Sequence, residues 1–148
     1  MPSRDRPGAR LVLADDDPDD RLFMRRALEE NGIADELCTV EDGEELLELL
    51  RREGRYAGHE GALPGLILLD LNMPRMGGRA VLREMKSDPD LRRIPVVVLT
   101  ASEAEQDVID SYDLGAGAFV TKPVRFDELV ETLRRVGDFW LEAACLPQ

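Results

Sequence analysis

The stretch LILLDLNMPRMGG, residues 66–78, decides the fold. An apolar run of strand length ends in one carboxylate, Asp70, with an Asn-Met-Pro turn directly behind it. Alone, such an aspartate is most often a helix cap or a turn former. It can equally be a metal ligand or a nucleophile, and only the rest of the chain can choose.

Upstream, LVLA (11–14) is a second short apolar run, and it too ends in acid, DDDPDD. There Asp17 fits an N-cap and Pro18 the first helical position, where a missing N–H costs nothing. Leu22, Phe23, Ala27 and Leu28 recur at helical spacing, and Asn31-Gly32 closes that helix. LCTV (37–40) reads as a strand, and Leu46, Leu47, Leu49 and Leu50 mark an amphipathic helix. Residues 52–65 read as a long loop rich in glycine and charge.

Downstream, Gly77-Gly78 opens a helix carrying Val81, Leu82 and Met85, closed by Ser87-Asp88-Pro89. IPVVVLT (94–100) is apolar on both faces, as in a buried parallel strand. A helix with Val108, Ile109 and Tyr112 stops at Gly115, AFVT (118–121) is the last strand, and Lys122-Pro123 follows. The final helix sets Phe126, Leu129, Val130, Leu133, Val136 and Trp140 on one stripe. Strands alternating with helices imply right-handed crossovers and a doubly wound parallel α/β sheet.

Such sheets place their chemistry beyond the carboxyl ends of the strands. Asp15 and Asp16 end the first strand, Asp70 the third, Thr100 the fourth and Lys122 the fifth. Each residue alone has an ordinary explanation as a cap, a turn or a solvated end. Jointly they deliver three acids, a hydroxyl and an amine to one sheet edge. Three carboxylates near one point call for a cation, and their hardness, with no nearby His or Cys, selects Mg²⁺. A metal-bound carboxylate beside a lysine and a hydroxyl suits phosphoryl transfer, with Asp70 as the nucleophile.

Composition narrows the alternatives. A chain of 148 residues, 43% hydrophobic and 34% charged, is sized for one globular domain. The formal net charge of −12 argues against a nucleic-acid partner, since phosphate backbones need a basic face. No stretch approaches the length of a membrane span, and MPSRDRPGAR has no signal-peptide core, so a cytoplasmic location is expected. Cys38 and Cys145 make no disulfide framework; Cys38 is expected in a strand core. The single histidine, His59, is expected in a loop, which disfavours a His-rich metal site or a Ser-His-Asp triad.

The motifs ADDD (14–17), LLDLNMPRMGG (68–78), LTA (99–101) and TKP (121–123) resemble the receiver domain of two-component response regulators, over roughly residues 9–137. The resemblance implies a flavodoxin-like sheet of order 2-1-3-4-5. It implies that Asp15, Asp16, Asp70 and the backbone carbonyl of Asn72 bind Mg²⁺. Asp70 would accept a phosphoryl group from a histidine kinase, Thr100 and Lys122 would contact it, and Thr100 and Phe119 would form the switch. It also implies a cis Lys122–Pro123 bond. Gly77 departs from the pattern, standing where many members have Asp, and loop 52–65 is longer than the family needs.

That loop, with the tail, resembles the single-domain regulators that partner bacterial phytochrome kinases. The short stretch after Lys122 is expected to leave no room for a DNA-binding or enzymatic output domain, so the chain is expected to signal through its own surface, or to pass the phosphoryl group on, rather than to act as an enzyme. A haloacid-dehalogenase-like phosphatase also uses a strand-end Asp and Mg²⁺, but wants a second Asp where this chain has Asn72. A pseudo-receiver that only mediates contacts would not need the full acidic set and Lys122. Residues 1–8 read as a flexible leader. The tail 138–148 is too apolar for a free terminus; Phe139, Leu141 and Leu146 fall off the helical stripe, which points to a homodimer joined through this tail.

Overall fold

Every strand of this chain is apolar at consecutive positions, and the fold uses both faces. The computed structural model describes residues 11–33, 37–58, 63–101 and 104–143. The leader, His59, Cys145, Leu146 and the Leu141 side chain lie outside that description. Strands β1 (Leu11–Ala14), β2 (Leu37–Val40), β3 (Leu66–Leu69), β4 (Val96–Thr100) and β5 (Ala118–Thr121) form one sheet. Its order is β2-β1-β3-β4-β5, and every pairing is parallel. Between and after them run α1 (Pro18–Glu30), α2 (Gly43–Arg51), α3 (Gly78–Lys86), α4 (Glu105–Asp113) and α5 (Phe126–Gly137).

The two-residue period of a strand divides the core into two layers. Val12, Ala14, Ile67, Leu69, Val96 and Val98 face one way, onto Leu46 and Leu50 of α2 and Val81, Leu82 and Met85 of α3. Leu11, Leu13, Leu66, Leu68, Val97 and Leu99 face the other way, onto Met24 and Leu28 of α1 and Leu129 and Leu133 of α5. A register slip of one residue would exchange the two sets, so the helices on both faces hold the pairing in place.

Caps set where the helices begin. Asp17 accepts from the amides of Asp19 and Asp20 at the head of α1, ahead of Pro18. Asp42 caps α2 through the Glu45 amide at 2.8 Å. Asn31 at the end of α1 donates to the carbonyls of Ala27 and Val130, tying α1 to α5.

Four features differ from the sequence-based expectations. β3 ends at Leu69, so Asp70 is the first residue past the strand. Loop 52–65 is not plain coil: Gly54–Tyr56 forms a 3₁₀ turn, and Tyr56 is buried with its hydroxyl donating to Glu45 Oε2 at 2.7 Å. The Lys122–Pro123 bond is trans, as are all peptide bonds among the described residues. Proline narrows the preference for trans without reversing it, so trans remains the lower-energy default. Finally, α5 stops at Gly137 and the chain continues as a wider π-helical turn, Asp138–Ala143. There Trp140 packs onto the α1/α5 layer of the core beside Gly117, so the core does accommodate this part of the tail. Phe139 lies on the outside, 58% exposed, edge-on to Trp140 at 5.0 Å.

Candidate functional site

Parallel strands that end level bring their next residues to one edge. Asp15 leaves β1 with its amide bonded to the Val40 carbonyl, and Asp70 leaves β3 with its amide bonded to the Ala14 carbonyl. The ladder thus continues one step past the strands and fixes both acids side by side. Ligand atoms of Asp15, Asp16 and Asp70 all lie within 4.8 Å of one another. Asp15 is buried, Asp70 half-buried and Asp16 exposed, so the cluster opens to solvent on one side.

The surroundings are built to hold these carboxylates. Asp15 Oδ1 accepts from the Asp17 amide at 3.0 Å, and Arg21 Nη1 donates to the Asp15 carbonyl at 2.7 Å. Asp70 Oδ1 accepts from the Asn72 amide at 3.3 Å, and its carboxylate also accepts from the Thr100 hydroxyl. Thr100 is buried at the end of β4, and the Lys122 amide donates to its carbonyl at 2.7 Å. Lys122 Nζ donates to Asp15 Oδ2 at 2.9 Å and to Asp20 Oδ2 at 3.2 Å.

Charge follows from that geometry. Burial pushes the Asp70 carboxyl above the usual carboxylate range; Lys122, the Asn72 amide and Thr100 oppose the rise, while the Asp15 charge adds to it. Burial would lower the Lys122 ammonium, but its bond to Asp15 and the charges of Asp15, Asp70 and Asp20 outweigh burial and hold it above the usual lysine value. Lys122 thus stays a cation among acids.

The loop after Asp70 is clamped from the α2 side. Arg75, in left-handed backbone at φ 62°, reaches the buried carboxylate of Asp42, with Nε at 3.1 Å. Gly43 donates its amide to the Met76 carbonyl at 3.0 Å, and a β-carbon on Gly43 would overlap that carbonyl. At Gly78 a β-carbon would sit 2.8 Å from the Asp70 carbonyl. Gly77, the departure from the family pattern, has ordinary extended backbone at φ −79° and caps α3 without a side chain. Burial would raise Asp42, but the Glu45 amide and the Arg75 guanidinium prevail and hold it below the usual range.

Asp15, Asp16, Asp70, Asn72, Thr100 and Lys122 meet here, and Phe119 does not. It lies half-buried on β5 against the α2/α3 layer, with its amide donating to the Tyr112 hydroxyl at 3.2 Å. Sequence reasoning missed Asp20, Arg21 and the Asp42–Arg75 pair. For Asp20 the only signal was its membership of DDDPDD, four residues after Asp16. For the pair there was none, because its members lie 33 positions apart.

Among known families, the response regulator receiver domain matches residues 11–134. The chain belongs to that family. This receiver is 39% identical to the response regulator Rcp1 of Synechocystis sp. over 147 residues, 99% of each chain. A structure of phosphorylated RcpA, a cyanobacterial phytochrome response regulator, superposes with a TM-score of 0.86 at 42% identity, covering 95% of this chain and 99% of that one. The Mn²⁺-bound form of Rcp1 gives 0.83 at 40% identity over 93% and 98%. The bacteriophytochrome response regulator RtBRR gives 0.76 at 40% identity over 95% and 82%. Receivers bind a divalent metal, and the three clustered carboxylates supply the oxygen donors such an ion takes. No helix among the described residues is long and apolar enough to cross a membrane.

Proposed function

We propose that this receiver accepts a phosphoryl group on Asp70 from the phosphohistidine of a histidine kinase of the phytochrome class. The observation that carries the proposal is the meeting of Asp15, Asp16, Asp70, Thr100 and Lys122 at one end of the sheet. An Asp70 carboxylate oxygen attacks phosphorus, the P–N bond breaks, and the departing imidazole keeps the electron pair and takes a proton. Lys122 offers its charge to the phosphoryl oxygens, and the Thr100 hydroxyl donates to one of them. Asp15, Asp16, Asp70 and the Asn72 carbonyl would hold Mg²⁺, which when bound supplies further positive charge against the phosphoryl oxygens. Thr100 and Phe119 carry the response to the α4 side, because β4 and β5 are adjacent and Phe119 is only half-buried. The output is a surface of the receiver itself in the cytoplasm, and Phe139 with the residues after it joins two copies in a homodimer.

Incubation with acetyl phosphate and Mg²⁺ tests the chemistry. The expected result is a mass gain of one phosphoryl group that is absent in EDTA and absent in Asp70→Asn. Full labelling of that variant, or undiminished labelling in EDTA, overturns the assignment.

A further inference from the structure

Lys122 is held by two acids, and the proposed chemistry uses only one of them. Asp15 belongs to the metal cluster; Asp20 does not. Asp20 sits in the first turn of α1, its carboxylate 3.2 Å from Lys122 Nζ, while the other Lys122 bond runs to Asp15 at 2.9 Å. The lysine side chain is 10% exposed and that of Asp20 44%, so the ammonium is largely enclosed while this acid remains open to water. Placement at the head of α1, behind Pro18 and the Asp17 cap, favours a carboxylate and limits its movement.

We propose that Asp20 is a positioning residue that competes with the incoming phosphoryl oxygens for Lys122. The inference rests on the receiver chemistry proposed above. An ammonium has three donors, and two of them are spent on Asp15 and Asp20. A phosphoryl group on Asp70 must draw that charge toward itself, against an acid in direct contact with the ammonium. Asp20 therefore weakens the hold of the site on a phosphoryl group and sets how readily the receiver charges. Removing it leaves the lysine paired with Asp15 and frees one donor for the ligand.

The neighbouring Asp19 provides the control. It lies in the same turn and carries the same charge, and no Lys122 bond is made to it. The test uses beryllofluoride, a tetrahedral phosphoryl mimic, titrated in Mg²⁺ into wild type, Asp20→Asn, Asp20→Glu and Asp19→Asn, with binding followed by amide chemical shifts. Asp20→Asn should bind roughly three- to tenfold more tightly, the scale of one screened charge at contact distance. Asp20→Glu should restore affinity toward wild type, and Asp19→Asn should change it little. A merely structural role for Asp20 would weaken binding or leave it alone, and either result overturns the inference. Equal tightening by Asp19→Asn overturns it too, because the effect would then be the net charge of α1. If wild type binds no beryllofluoride at all, the receiver chemistry itself falls, and this inference with it.

Discussion

Thr100 is the residue on which acceptance and response part company. Its hydroxyl bonds the Asp70 carboxylate, yet the nucleophile and the clustered acids lie elsewhere. Thr100→Ala should therefore still take up phosphate from acetyl phosphate while losing the conformational answer. Amide chemical shifts along α4 and β5 check this; a wild-type pattern of shifts on phosphorylation would show that the hydroxyl is not the relay. The Asp42–Arg75 pair makes a second prediction at this scale. Arg75→Ala leaves the buried Asp42 with its cap to the Glu45 amide and the charge of Arg55, and should lower the urea unfolding midpoint. Asp42 is depressed in the folded state, so its contribution is present above the ordinary value of 3.8 and is lost as pH falls further, through the depressed folded value. The stability gap between wild type and Arg75→Ala should thus be widest near neutrality and close in strong acid. A gap that holds constant across that acid range would remove the ion pair as its cause.

At the scale of elements, strand ends were legible and pairs between residues distant in sequence were not. An apolar run stopping at a polar or charged residue is a local signal, and it located Asp15, Asp70, Thr100 and Lys122 without any knowledge of contacts. Asp20 and Lys122 stand 102 positions apart, and nothing local in either segment announces the other. Tyr56 was hidden for a different reason. It sits in a segment whose glycines and charges read as solvent, and its burial depends on Glu45 one helix away. The end of α5 was half legible: helical spacing placed Trp140 on the stripe, but not the widening of the helix after Gly137. Gly117 lets that indole in, since a β-carbon there would lie 2.9 Å from the ring. Gly117→Ala should displace the ring and destabilise the fold by roughly 1–3 kcal/mol. Trp140 is the only tryptophan, so the emission of the folded variant should lie to the red of that of folded wild type. Unshifted emission would mean that the ring does not rest where the packing puts it.

At the scale of the molecule, the acidic surface and the apolar patch at Phe139 pull in opposite directions. A net charge of −12 keeps copies apart at low ionic strength, while Phe139 offers apolar area to hide. A homodimer should therefore tighten with added salt. Light scattering at micromolar concentration should give a dimer for the full chain and a monomer for Phe139→Glu. The variant monomer should remain folded, because Phe139 lies outside the core that Trp140 fills, and should melt below the dimer by an amount that shrinks as the wild type is diluted. Monomers in both samples at every salt concentration would end the dimer proposal.

The sheet order has a temporal consequence. β1 and β3 lie side by side in it, so both strands that carry the acids are synthesised in the first half of the chain, whereas Lys122 arrives only with β5, and the α5 residues that pack on β1 and β3 arrive later still. A chain cut before β5 would lose both the counter-ion of the acids and the α5 layer that packs against β1 and β3. Competence to receive a signal thus comes last in synthesis.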